Sequence, residues 1–94
     1  MESGYAEAIV VLHEGAVDKE RIRSWFASHA LQVRSMRAGF LIHGEITTFE
    51  SIFGVDLRDA RRREHPNITL PVPEPFRDDI AAITIRQLPR IHHR

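Results

Sequence analysis

Residues Gly39 to Leu57 read GFLIHGEITTFESIFGVDL. Phe40 to His43 is a short apolar run that predicts a strand, and Gly44 follows where the backbone leaves it. Thr47 with Glu50 three residues later has capping-box spacing, so a helix of about two turns is expected to begin there. Phe49, Ile52 and Phe53 share one face of that helix, and Gly54 is placed to stop it in a left-handed conformation. A returning strand that feeds a short amphipathic helix asks for an earlier strand to return from.

That strand lies just upstream. Leu31 to Met36 (LQVRSM) alternates apolar and polar residues, and Ala38 with Gly39 makes the turn, so the two segments predict a β-hairpin. Before the hairpin, Ile22, Trp25, Phe26 and Ala30 recur at three and four residues, and Asp18 can cap a helix over roughly Asp18 to His29. Ala6 to His13 (AEAIVVLH) is compact and β-branched, the pattern of a central strand covered on at least one face. Downstream, Val55 to Glu64 predicts a peripheral strand, and Pro66, Pro71, Pro73 and Pro75 stiffen a crossover that is neither helix nor central strand. A helical turn at Phe76 to Asp79 and a last strand over Ile80 to Leu88 close the pattern, and Pro89 ends it.

The order strand, helix, strand, strand, helix, strand predicts an α+β domain with the ferredoxin-like βαββαβ arrangement, an antiparallel sheet carrying two helices on one face. One domain over 1–94 is expected, with a core over about 6–88 and an extended tail over 89–94. Hydrophobic residues at 43% and charged residues at 28% suit a folded, water-soluble domain and not a disordered chain. Thirteen acids balance thirteen bases, so no net field draws the chain to nucleic acid or an anionic membrane. Six histidines make its charge sensitive to mild acid. The absence of cysteine excludes disulfides, thiolate metal sites and cysteine nucleophiles. No apolar run is long enough to span a bilayer and no leader pattern opens the chain, which leaves a cytoplasmic location as the default expectation.

Chemistry-bearing fragments are few. His43 and Glu45 flank Gly44 on the same face of a strand end, which reads as a catalytic dyad or as a solvated edge. No nucleophile elbow, zinc-protease helix or phosphate loop is present, so no enzyme, cofactor or metal site is expected. His13 and His29 fit polar groups at element ends. Arg58, Arg61, Arg62 and Arg63 could serve phosphates, but Asp56, Asp59 and Glu64 interleave with them, the pattern of an edge that resists sheet extension. The RNA-binding version of this topology needs base-stacking aromatics on its central strands, where only Phe40 stands. A regulatory ligand-binding domain of the ACT type remains an alternative, its site falling at His13-Glu14-Gly15-Ala16.

Taken together, FASHALQVRSMRAGFLIHGEITTFESIFGVDL resembles the activation prodomain of the sedolisin, or kumamolisin-like serine-carboxyl peptidase, family. Ala30-Leu31-Gln32-Val33 matches the family's helix-to-strand passage, Leu41-Ile42-His43-Gly44 its "Val-x-Gly" strand, and Ile52-Phe53-Gly54-Val55-Asp56-Leu57 its "Ala-Phe-Gly" helix end. Leu70-Pro71 to Ile80 and Ala82-Ile83-Thr84-Ile85 are similar to its later segments, so the likeness spans about Val17 to Leu88. Ala30 and Gln87 stand where the family's pattern has glycine. A tyrosine- and proline-containing segment of the family's longer prodomains has no counterpart, and a stand-alone domain without the peptidase's catalytic half is expected.

The resemblance implies a protein without protease activity that inhibits a peptidase or assists its folding. The sheet face away from the helices would dock on the enzyme, and Pro89, Arg90, Ile91, His92, His93 and Arg94 would enter its cleft. The rival expectation is an assembly module that associates with itself through edge strands or faces.

Overall fold

The alternation that predicts the first strand is realised as β1 (Tyr5–Leu12), in which Ala6, Ala8 and Val10 are buried while Tyr5, Glu7, Ile9 and Val11 point the other way. The computed structural model describes residues 4–15, 18–57 and 68–87. Within them follow α1 (Lys19–Ser28), β2 (Gln32–Met36), β3 (Gly39–Glu45), α2 (Ile46–Phe53), β4 (Thr69–Leu70), a 3-10 turn (Glu74–Phe76) and β5 (Ile80–Gln87). The protein is an α+β domain in which the five strands of the described residues form one antiparallel sheet in the order β2-β3-β1-β5-β4.

A strand beyond the four of the split βαβ plan is present, but not where the sequence places it. The addition is β4, where Thr69 pairs with Thr84 and Leu70 with Ile83 outside the last strand. Pro71 follows at once, and without an N–H it cannot extend the ladder, which accounts for so short an element. The strand expected over Val55 to Glu64 is not found in its described part: Val55 to Leu57 has no regular structure, and 58–67 lies outside the described residues. The arginine cluster expected there falls in the same gap.

One face of the sheet is dry. Phe40 and Ile42 of β3 and Ile83 and Ile85 of β5 join the inward residues of β1 beneath Ile22 and Phe26 of α1 and Ile46, Phe49 and Phe53 of α2. Both helices therefore cover the same side. Phe49 and Phe53 lie 5.9 Å apart and Phe26 and Phe53 6.5 Å apart, so the aromatic rings tie the two helices together over the strands. Phe76, delivered by the 3-10 turn, meets Trp25 edge-on at 5.6 Å, with the Arg21 guanidinium 5.3 Å from its ring centre, within reach of a cation–π contact.

The ends of α1 follow the sequence reading closely. Asp18 accepts a 3.0 Å hydrogen bond from the Arg21 N–H, a local N-cap. At the other end the Ala30 N–H reaches the Ala27 carbonyl and the Leu31 N–H the Phe26 carbonyl, with Ala30 at φ 68°, which together form a Schellman motif. The His29 ring packs 4.0 Å from Trp25, and its Nδ1–H donates to the Trp25 carbonyl at 2.7 Å, the element-end role expected of it.

The start of α2 departs from the expected capping box. The N-cap residue is Glu45, no side chain caps the helix, and the Ile46 N–H is bound by the Gly4 carbonyl at 2.9 Å. Because β3 runs straight into α2, the helix begins before the expected cap, Thr47 falls inside its first turn, and backbone from the neighbouring strand's entry satisfies the first helical N–H. Glu50 is free for another task, and its carboxylate accepts from the Leu57 N–H at 2.8 Å. Gly54 ends the helix as expected, at φ 65° and ψ 37°.

Candidate functional site

The second face of the sheet carries no helix among the described residues. Register places its side chains in rows across the strands. Arg34, Leu41, Ile9 and Thr84 form the middle row, from β2 through β3 and β1 to β5. Met36, Gly39, Val11 and Ala82 form the next row toward one end, and Gln32, His43 and Glu7 form the row on the other side. Beyond these, Glu45 faces Tyr5.

This face is unusually apolar for an open one. The most exposed large apolar side chains among the described residues are Tyr5 at 54%, Met36 at 42% and Val11 at 38%, and all three stand on it. Ile9 and Leu41, half-buried, make an apolar centre between them. Val11, Met36, Ile9 and Leu41 adjoin one another, while Tyr5 stands beyond the polar row of Gln32, His43 and Glu7. Isolated exposed apolar residues are ordinary, and a larger contiguous patch is the kind that partners use.

The expected pair His43 and Glu45 does project from this same face, but the two are not joined to each other. The His43 ring stacks on Tyr5 at 5.1 Å with an interplanar angle of 6°, a diagonal neighbour across the β1–β3 ladder. Glu45 is exposed and occupies the N-cap position of α2. Beside the stack, Glu7, Gln32, Val33, Arg34, Leu41 and His43 line an open hollow. What this arrangement offers chemically is apolar contact, ring stacking and a few hydrogen bonds from charged groups at the margin.

A second depression lies where the β1–α1 loop meets the β2–β3 turn, the place expected of an ACT-type ligand site. His13, Lys19 and Arg37 line it with Glu14, all exposed, and Gly15 turns the loop at φ 91°. His13 is fixed through its backbone, whose N–H donates to the Asp79 carbonyl at 2.8 Å. No polar or charged side chain is buried here or elsewhere among the described residues, and none of their histidines and acids cluster as three potential metal ligands. No helix among them is long and apolar enough to cross a membrane.

The tail expected to bind a partner, Pro89, Arg90, Ile91, His92, His93 and Arg94, lies outside the described residues. The sequence reading does not single out Tyr5, Ile9, Val11, Met36 or Leu41. Their signal is the second phase of the β1 alternation: Ile9 and Val11 are β-branched at positions where a solvated face would carry polar residues. Comparison of the chain with protein-family models, with curated proteins and with solved structures finds no match.

Proposed function

We propose that this chain is a peptidase-prodomain-like protein that inhibits, or assists the folding of, a sedolisin-like peptidase. It would act by docking the open sheet face and presenting residues 89–94 to the cleft. In this reading β1, α1, β2, β3, α2 and β5 are the six elements of a ferredoxin-like split βαβ unit, and β4 is an addition at its edge.

The observation that carries the reading is the backbone at Ala30. The family's pattern has glycine at this position, and Ala30 sits at φ 68°, where an L side chain is disfavoured and glycine is not. A likeness drawn from residue order alone thus lands on a conformation that the likeness did not use. Two further glycines of the pattern have similar grounds. Gly54 has φ 65°, and a Cβ on Gly44 would stand 2.5 Å from Leu31 Cδ2. The open face supports the docking part, since its apolar centre lacks a cover in the described chain.

The test is inhibition of a purified sedolisin-type peptidase by the full chain, by a chain ending at residue 88, and by Leu41→Glu. The expected result is inhibition by the full chain that drops at least tenfold in both variants. Absence of inhibition by the full chain, together with no gain in the yield of refolded peptidase, would overturn the proposal.

A further inference from the structure

We infer that the open sheet face closes on a second copy of this chain, forming a two-fold dimer whose axis runs parallel to the strands between β1 and β3. The inference does not rest on the peptidase reading. Its starting point is the row structure of the face, which is complementary to itself under that operation and not under the alternative one.

Two stacked faces related by an in-plane axis along the strands keep each row in place and exchange its left and right halves. The register partners within one chain then become partners between chains. Leu41 meets the second copy's Ile9, and His43 meets the second copy's Glu7. Val11 comes over the second copy's Gly39, which projects no side chain, and Met36 comes over the second copy's Ala82. Arg34 meets the second copy's Thr84, so the middle row brings no like charges together. Each contact occurs twice by symmetry. An axis across the strands would instead set Val11 on the second copy's Glu7 and Met36 on the second copy's Gln32, covering a carboxylate with apolar groups. That arrangement sets the Glu7 carboxylate against an apolar side chain, whereas the first gives it the His43 ring and gives Arg34, on the edge strand, the Thr84 hydroxyl.

The size of the face is sufficient. Four strands spaced at about 4.8 Å and some six residues long at about 3.3 Å each give about 380 Å² per copy, or about 760 Å² in total, which side-chain relief raises to about 1,000 Å². That lies at the small, transient end of interface sizes, so a weak dimer is expected, with a dissociation constant of roughly micromolar or above. Aligned sheet packing with a twist of about −30° keeps the central pairs in contact while the corners diverge. Ile9 and Leu41, at the centre, are the positions where an introduced charge acts most strongly.

The experiment is sedimentation velocity of the full chain over roughly 1–500 µM, a range that brackets such an affinity, with no peptidase present. Ile9→Lys and Leu41→Glu are measured beside Ser24→Glu, a control on the exposed side of α1, with circular dichroism to verify folding. The expected result is a monomer–dimer equilibrium that each face variant weakens at least tenfold and the control leaves unchanged. A second measurement reads the axis directly and uses mild substitutions. The chain has no cysteine, so Glu7→Cys and His43→Cys proteins can be mixed and treated with a short bismaleimide. Cross-linking between unlike chains in excess of that between like chains supports the dimer. A chain that stays monomeric throughout, a dimer indifferent to both face variants, or cross-links that favour like pairs would each overturn it. A peptidase would dock on this same face and compete with the dimer, so the inhibition assay is read at chain concentrations below the dimer dissociation constant, where the two outcomes are separate.

Discussion

The Glu50 carboxylate accepts a 2.8 Å hydrogen bond from the backbone N–H of Leu57, seven residues further on and past the end of its own helix. The bond folds Val55 to Leu57 back along α2 and allows the Leu57 side chain, 1% exposed, to seal the core. Replacing Glu50 by Ala leaves a part-buried N–H without its acceptor, and a loss of roughly 1–3 kcal/mol is expected. Glu50→Gln keeps an acceptor in place and should lose less than half as much. Urea unfolding ranks the two, and amide exchange at Leu57 locates the effect. Unchanged exchange in Glu50→Ala would show that the segment is held by packing alone.

The two helix starts make opposite predictions for similar residues. Asp18 bonds the Arg21 N–H, so Asp18→Ala should cost about 1 kcal/mol. Thr47, exposed and one residue inside α2, caps nothing, because the N-cap position is held by Glu45. Thr47→Ala should therefore change stability by less than about 0.5 kcal/mol. A cost at Thr47 equal to that at Asp18 would restore the capping box.

This contrast also shows which parts of the molecule are legible beforehand. For α1 the apolar spacing and the Asp18 cap lie within one stretch of chain, and local chemistry sets the element. For α2 the same local pattern, Thr47 with Glu50, misleads, because the group that satisfies the first N–H arrives from Gly4 through the β1–β3 ladder. β4 is beyond sequence reading for a related reason: Thr69 and Leu70 stand among prolines and become a strand only because Thr84 and Ile83 are across from them. The candidate site is half legible. The alternation puts His43 and Glu45 on one face, but the apolar group around Ile9 and Leu41 emerges only when the register sets β1, β2 and β3 side by side.

Two strand glycines differ in what a methyl group would meet. A Cβ on Gly39 would lie 1.8 Å from the Val10 carbonyl oxygen and 2.9 Å from its carbon, both backbone atoms of the central strand. One on Gly44 would lie 2.5 Å from Leu31 Cδ2, the end of a side chain. Gly44→Ala should cost roughly 1–3 kcal/mol, the usual range for overpacking a core. Gly39→Ala should cost more, because relief requires β3 to move off β1. Adding Leu31→Ala to Gly44→Ala should give a loss smaller than the sum of the two single losses, while nothing comparable relieves Gly39→Ala. Thermal unfolding of these variants beside the parent checks the order, and an Ala at residue 39 tolerated better than one at residue 44 would contradict the close approach of the strands.

Both helices end on a left-handed residue, but only one of them is glycine. Gly54 has φ 65° with open space where a Cβ would be, so Gly54→Ala meets no atom and suffers only the backbone penalty. Ala30 already bears that penalty at φ 68°. A left-handed L residue costs about 1–2 kcal/mol, and glycine returns part of the gain through its larger unfolded-state entropy, roughly 0.5–1 kcal/mol. Ala30→Gly should thus stabilise the protein by about 0.5–1 kcal/mol, and Gly54→Ala should destabilise it by about the same amount. The sites are separate helix ends, so the double variant should come close to the parent. Urea midpoints with an unchanged slope measure all three. Because Ala30 is exposed and its Schellman hydrogen bonds are backbone bonds, the substitution removes no packing that would mask the effect. Loss of stability in Ala30→Gly would mean that the end of α1 is not left-handed in solution, and the reading of that position as a glycine site would fail with it.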